Sequence, residues 1–120
     1  MHSVTSNAVA TALNYASYGT EINTGLKWID GKTIYRKSYR LVIADATQEF
    51  NHLISNLGTI TKIDGVIEIS NGSFLPLNFI AQNGTYFFST FLNSTKIEIR
   101  TVSAYVGTIF YLTVEYTKTS

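Results

Sequence analysis

The residues that most often do chemistry in proteins are sparse in this chain of 120 residues. It has two histidines, His2 and His52, and no cysteine, which excludes disulfides and thiolate metal sites. His52 has no second histidine at metal-ligand spacing, so we expect an exposed or hydrogen-bonded structural role. The sequence contains neither a Gly-x-Ser-x-Gly nucleophile motif nor a glycine-rich phosphate loop. We therefore predict no metal, no cofactor and no catalytic residue.

Carboxylates are the remaining candidates for acid–base chemistry, because a glycosidase needs two opposed carboxyl groups. Asp30 and Asp64 each precede a glycine in a turn-like pair, and Glu98 alternates onto a charged outward face. The others are Glu21, Asp45, Glu49, Glu68 and Glu115. We do not predict an enzyme, and a glycan-degrading domain stays an alternative that would require two carboxylates in one cleft.

Binding is better supported than catalysis by aromatic and amide residues near turn tips. Aromatic faces stack on the C–H surfaces of sugars, and an amide both donates and accepts hydrogen bonds. The best candidates are Asn83 and Tyr86 around an Asn-Gly turn, and Tyr105 in the last loop. The alternative is that these tyrosines only pack at strand ends. Trp28 is expected to be structural, as an anchor of its hairpin or as a subunit contact.

The composition limits the classes of partner. Charged residues make up 14% of the chain, below the roughly 25% usual in soluble domains, and aromatics reach 13%. The formal net charge is +1, with basic and acidic residues spread along the chain, so there is no electrostatic footprint for nucleic acid. No apolar run reaches the length of a membrane span, so we predict no membrane insertion.

The elements that must position these residues are strands. Asp30-Gly31 lies between β-branched and aromatic runs, which is typical of a hairpin with a two-residue turn. Strict alternation predicts strands over residues 33–43, 95–101 and 108–118. In the last of these, Phe110, Leu112, Val114 and Tyr116 are expected to share one face, and Ile109, Tyr111, Thr113 and Glu115 the other. Residues 85–92 are apolar on both faces, which indicates a strand covered on both sides.

Three segments are less regular. Residues 49–58 are interpreted as a loop with one strand or one helical turn. Residues 59–70 form either a hairpin at Asp64-Gly65 or one strand with a bulge at Gly65, and the shared parity of the flanking isoleucines favours the strand. Residues 74–80 contain Pro76, which predicts an edge strand or an irregular segment.

The first segment differs from the rest in composition. Small and apolar residues at helical spacing follow several candidate N-caps, which predicts a short helix within residues 3–16. About eleven helical residues are marginal alone in water, so this helix must dock. Its expected contact face comprises Val9, Ala12 and Leu13. It packs either on its own β domain or in a small bundle with copies of itself.

Three pieces of the chain together resemble the C-terminal modules of phage and prophage tail-fibre or baseplate-type proteins. The first spans residues 3–13, the second is the Trp-Ile-Asp-Gly-Lys segment that continues to Lys37, and the third is the Tyr-Thr-Lys-Thr ending at residues 116–119. Their order and spacing also fit. The resemblance implies a virion protein, usually homotrimeric and often facing the host surface, whose natural chain extends upstream of Met1. It carries no catalytic residues that transfer to this chain.

We therefore expect an all-β fold, an antiparallel and jelly-roll-like β-sandwich preceded by a short N-terminal helix. Residues 1–17 would serve oligomerisation, and residues 18–120 would form the sandwich. The expected partners are two further copies of the chain and a host-surface glycan or protein. Alternatives are a purely structural trimerisation module without a receptor and the glycan-degrading domain. If the helix clasps the assembly, deleting residues 1–16 weakens it.

Overall fold

The computed structural model describes residues 18–70, 72–76, 78–80 and 86–119. Within them the regular secondary structure consists of strands, apart from a single 3-10 turn at Ser103–Tyr105. This confirms the predicted all-β class. The predicted N-terminal helix, with Val9, Ala12 and Leu13, lies outside the described residues, as does Asn83. No helix in the described ranges is long and apolar enough to cross a bilayer.

The strands form two antiparallel sheets, with nine strands described. The first contains β1 (Ile22–Lys27), β2 (Thr33–Val42), β4 (Leu57–Ser70), β5 (Ser73–Pro76) and β9 (Ile109–Lys118) in the order β1-β2-β9-β4-β5. The second contains β3 (Thr47–Asn51), β6 (Phe79–Ile80), β7 (Phe87–Leu92) and β8 (Lys96–Thr101) in the order β3-β8-β7-β6. The last strand of the chain therefore lies at the centre of the larger sheet.

The core lies between the two sheets and explains why they pack. The four alternate residues of β9 predicted to share one face are all buried, as are Ile97 and Ile99 of β8. Phe88 of β7 meets Phe110 of β9 with ring centroids 5.2 Å apart. Full burial of one such side chain contributes about 1.5–3 kcal/mol to folding. Strict alternation on both sheets is thus what makes this a two-layer structure.

The first hairpin is confirmed, but its turn is not the predicted two-residue type. The Trp28 N–H donates to Lys32 O at 2.8 Å, and the Gly31 N–H donates to Trp28 O at 2.9 Å. Gly31 alone in this turn has positive φ, at 87°. This is a three-residue loop in which a glycine in the left-handed region follows the turn. Asp30 instead accepts from the Lys32 N–H, at 2.9 Å, which explains its place before glycine.

The long strand β4 confirms the single-strand prediction for residues 59–70 and corrects the position of its bulge. Gly65 pairs in regular register with Leu112, and the register shifts lie between Leu57 and Lys62 instead. A Cβ at Gly65 would clash with the Tyr111 carbonyl oxygen, so glycine allows the two strands to approach there. The ambiguous residues before β4 contribute strand β3 and then a turn.

Pro76 lies where its lack of an N–H predicts, on an edge. Strand β5 closes one edge of the larger sheet, while the next strand, β6, lies at an edge of the smaller sheet. The predicted segment of residues 74–80 is therefore divided between two sheets. A proline at this position removes no ladder hydrogen bond from a central strand.

Strand β7 is covered on one face within this chain. Phe88 is buried in the core, whereas Phe91, on the opposite face, is 60% exposed. The cover expected on that second face does not come from the described part of this chain.

Candidate functional site

The outer face of the five-stranded sheet carries a set of polar and aromatic residues aligned in rows by the strand register. In each row, one residue of β2 lies beside one of β9 and one of β4. The three successive rows are Arg36, Glu115 and Lys62; Ser38, Thr113 and Asp64; and Arg40, Tyr111 and Val66. Because residues two apart point to the same face, the rows are about 6.6–6.8 Å apart along the strands.

The middle row is short and its neighbours are longer, and this difference makes the face concave. Ser38 and Thr113 end in hydroxyl groups close to the sheet, whereas Arg36 on one side and Tyr111 on the other rise above them. The result is an open depression of about 560 Å³, which we name the outer trough. Its lining comprises Tyr18, Arg36, Ser38, Tyr39, Lys62, Asp64, Gly65, Val66, Tyr111, Leu112, Thr113 and Glu115. This volume lies within the range of small-ligand sites.

One wall of the outer trough is an ion pair. Two nitrogens of Arg36 contact Glu115 Oε2, Nη2 at 2.8 Å and Nε at 2.9 Å. The Glu115 side chain is only 16% exposed, and that of Arg36 is 43% exposed. Cross-strand neighbours of opposite charge hold each other in one geometry, so this wall is ordered before any ligand arrives.

The floor of the outer trough consists of hydrogen-bonding groups. Ser38 Oγ and Thr113 Oγ1 share a hydrogen bond at 3.0 Å, and either hydroxyl can be its donor. Asp64 Oδ1 accepts from the Gly65 N–H at 3.0 Å, and the register places Asp64 opposite Thr113. A hydroxyl both donates and accepts, and a carboxylate has two accepting oxygens, so the floor offers both kinds of group.

The opposite wall is aromatic and is braced from several sides. The Tyr111 hydroxyl donates to Glu68 Oε1 at 3.1 Å, and the Arg40 guanidinium lies 5.9 Å from the Tyr111 ring centroid. The Tyr18 ring lies 6.3 Å away at an interplanar angle of 43°. Tyr111 is thereby a fixed aromatic surface beside the polar floor, which is a suitable platform for the C–H face of a ligand.

The segment that carries Tyr18 is held in place by two neighbouring contacts. The Gly19 N–H donates to Ser38 O at 2.7 Å, which attaches the segment to β2. Two residues on, Glu21 accepts from the Tyr116 hydroxyl and from Lys118, whose Nζ lies 2.7 Å from Glu21 Oε2. Burial alone would raise the pKa of Glu21, but the hydrogen bonds from Lys118 and Tyr116 outweigh it and lower that pKa.

The other ionisable groups at this end of the sheet respond mainly to burial. Lys37 donates to Leu53 O at 2.9 Å, and desolvation lowers its pKa despite the nearby Glu21. Burial, with the negative charge of Glu21, raises the pKa of the Tyr39 hydroxyl and, still further, that of Tyr116. All three side chains are buried, although Tyr39 also contributes to the lining of the outer trough, so we interpret their ionisable groups as structural.

Comparison of the chain with protein-family models, with curated proteins and with solved structures finds no match.

The structure brings two of the sequence-predicted ligand residues together. The rings of Tyr86 and Tyr105 have centroids 6.0 Å apart at 60°, an edge-to-face arrangement. Tyr86 is 43% exposed. The Tyr105 carbonyl accepts from Thr108 Oγ1 at 2.6 Å, which anchors its loop to the start of β9. The third predicted residue, Asn83, is outside the described ranges, and the ligand-binding role of this pair stays a prediction.

Sequence reasoning missed the outer trough, although part of its signal was visible. Alternation already places Arg36, Ser38 and Arg40 on one face of β2, and Tyr111 and Thr113 on one face of β9. What alternation does not provide is which residue of one strand lies beside which residue of another. That requires the register, which is fixed by tertiary pairing.

His52 has the hydrogen-bonded structural role expected of it. Its side chain is buried, and its Nδ1 accepts from the Ile54 N–H at 3.1 Å while Nε2 contacts Asn93 O at 3.0 Å. One nitrogen accepts, so the other is the donor, and the ring joins the turn after β3 to the turn after β7.

The glycosidase alternative requires two carboxylates in one cleft, and Asp64 and Glu115 both line the outer trough. Glu115 is held by Arg36, and Asp64 accepts from the Gly65 N–H. An ion pair is unlike the apolar surroundings that keep a catalytic carboxylic acid protonated. No group of three or more residues able to hold a metal ion occurs in the part of the chain that the structure describes.

Proposed function

We propose that this chain is the C-terminal tip module of a phage tail-fibre or baseplate-type protein. In this proposal it is a homotrimeric virion structural protein that contacts a host-surface glycan. The observation that carries the binding part is the outer trough, where a fixed aromatic wall stands beside a hydroxyl and carboxylate floor. The motif resemblance supports the viral part.

The strand order supports the proposed jelly-roll-like connectivity. The chain leaves the smaller sheet after β3, forms β4 and β5 in the larger one, and returns so that β8 lies beside β3. Such a return by a long connection is the Greek-key arrangement from which jelly rolls are built. Strand β9 likewise returns to lie between β2 and β4.

Exposed apolar side chains favour a second candidate function, that of a structural trimerisation module without a receptor. Three apolar side chains are each more than half exposed: Phe91 on the smaller sheet, and Val42 and Phe74 on the larger sheet. Subunit contacts would bury such side chains at about 25 cal/mol per Å² of apolar surface. This candidate shares the assembly with the first proposal and differs in having no ligand.

Mass and binding measurements test the proposal together. Light scattering behind a sizing column, over a dilution series, is expected to give three times the chain mass, and deletion of residues 1–16 is expected to weaken the assembly. A bacterial polysaccharide array is expected to retain the full chain. A trimer without ligand would leave only the structural module, and release of reducing sugar ends from the array would support the glycan-degrading alternative. A stable monomer that binds nothing would contradict the whole proposal.

A further inference from the structure

The charges that line the outer trough balance. Arg36 and Lys62 supply two positive charges, and Asp64 and Glu115 supply two negative charges. Just beyond the lining, Arg40 lies over the Tyr111 ring while Glu68 accepts from the Tyr111 hydroxyl. An anion would meet as many carboxylates as cations. The electrostatics of the outer trough therefore give no preference for a charged ligand.

The polar groups of the trough are arranged for a ligand with several neighbouring hydroxyls. The Ser38 and Thr113 hydroxyls lie 3.0 Å apart, and the Asp64 carboxylate is next to them in the same row. A ligand hydroxyl can both donate to and accept from the groups of this floor. An aliphatic or purely aromatic ligand would cover the floor without forming hydrogen bonds. Covering polar groups without replacing their partners costs affinity.

The aromatic wall requires the same ligand to have an apolar face. Tyr111 is half-buried, is held by Glu68 and Arg40, and has Val66 beside it in its row. A surface fixed in this way loses little side-chain entropy when it is covered. A hexopyranose combines the two requirements, because its ring presents axial C–H groups on a face and hydroxyls around its edge.

We propose that the outer trough binds an uncharged hexopyranose unit, with its C–H face on Tyr111 and its hydroxyls on Ser38, Thr113 and Asp64. This inference rests on the proposed function, since it assigns a ligand class to the same site. It specifies that the recognised unit of the host-surface glycan is neutral rather than a uronic or other acidic sugar.

The test is an NMR titration of the isotope-labelled full chain. The probes are the methyl glycosides of glucose, galactose and mannose, and methyl glucuronide, which differs from the glucoside only in having a carboxylate in place of the C6 hydroxymethyl group. We expect at least one neutral glycoside to shift the amides of Ser38, Asp64 and Thr113, and the glucuronide to bind no more tightly. Because no net charge is involved, the affinity should change less than about twofold between low and high salt.

Matched variants distinguish stacking from loss of fold. Tyr111→Ala should weaken binding of the neutral glycoside at least about tenfold, and Tyr111→Phe should recover most of that loss because the ring remains. Ser89→Leu, on the outer face of the other sheet, serves as the control for a surface change. An unchanged amide spectrum outside the trough verifies that each variant is folded.

Different results would contradict the neutral-hexopyranose proposal and the proposed glycan-binding function. A glucuronide that binds at least about fivefold more tightly than the glucoside, and that salt displaces, would overturn the neutral class and leave glycan binding intact. If no glycoside shifts the trough while the array retains the chain, the neutral hexose is also overturned and the function remains. If neither glycoside nor array binds, both fail.

Discussion

The outer faces of the two sheets follow the same alternation but differ in the length of the side chains in their central rows. On the five-stranded sheet, the central row holds Ser38 and Thr113, which are short, between rows that hold Arg36 and Tyr111. On the four-stranded sheet, the central row holds Glu49, Glu98 and Phe91, which are long. A short row between long rows makes a trough, whereas the central row of the four-stranded sheet lies between rows that hold Lys96 and Arg100 and are equally long.

The two faces also differ in how their charges are arranged. Glu115 lies between two cations, Arg36 and Lys62, in its row. Glu98 instead lies directly opposite Glu49, a like-charge pairing that destabilises a sheet. The two sheet surfaces therefore differ in the composition of their rows rather than in the overall polarity of their faces.

The largest expected effect comes from filling the trough. Ser38→Leu would place an apolar side chain on the floor and is expected to reduce glycan binding by more than about tenfold, since it removes both space and a hydrogen-bonding group. Array or NMR binding measures this, with Ser89→Leu on the other face as the matched control. Equal loss of glycan binding in both variants would contradict the assignment of the binding site to the face that carries Ser38.

A smaller effect is expected from the two ion pairs. Arg36 and Glu115 approach to 2.8 Å, whereas Arg100 and Glu98 are 4.0 Å apart and Arg100 is 66% exposed. Double-mutant cycles followed by urea unfolding should give a coupling of about 0.5–1 kcal/mol for the first pair and close to zero for the second. The reverse order would show that the trough wall is not pre-ordered.

Relief of the like-charge pair should raise stability slightly. Glu49→Lys would place a cation opposite Glu98 and is expected to increase the free energy of unfolding by about 0.2–1 kcal/mol. The corresponding charge reversal in the trough, Glu115→Lys, should lower it, because Arg36 would then face a like charge. Urea midpoints of the two variants, compared with the unmodified chain, provide the measurement.

The smallest expected effect is on the stability of the fold at acidic pH. The folded-state pKa of Glu21 is lowered from its usual value of 4.5, so its contribution to stability is present above about pH 4.5 and is lost as the pH falls through the folded-state pKa. Glu21→Gln should therefore reduce stability at neutral pH and make it less sensitive to pH below 4.5. Parallel curves for the two proteins across that window would contradict the role of Glu21.

The strands were predictable because their signals are local. The shared face of alternate residues in β9, the edge or irregular character of the segment with Pro76 and the single strand over residues 59–70 all follow from alternation or from the missing proline N–H. The bulge was misplaced at Gly65 because a glycine in a strand indicates either a bulge or a close approach of backbones, and here it is the second.

The outer trough was not predictable because it depends on neighbours distant in sequence. Ser38 and Thr113 are 75 residues apart, and Arg36 and Glu115 are 79 apart. The positions of Tyr86 and Tyr105 near turns are visible in the sequence, but the contact between their rings depends on the tertiary fold. Residue type identified plausible binding groups, and only the register determined which of them share a surface.

The measurement that tests the central claim most directly is a side-by-side binding assay of Tyr111→Ala and Tyr86→Ala on the bacterial polysaccharide array. Each variant removes one exposed or half-buried tyrosine, one from the outer trough and one from the aromatic pair with Tyr105. If the outer trough is the receptor site, Tyr111→Ala loses far more binding than Tyr86→Ala. A greater loss in Tyr86→Ala would contradict the account and move the site to the loops.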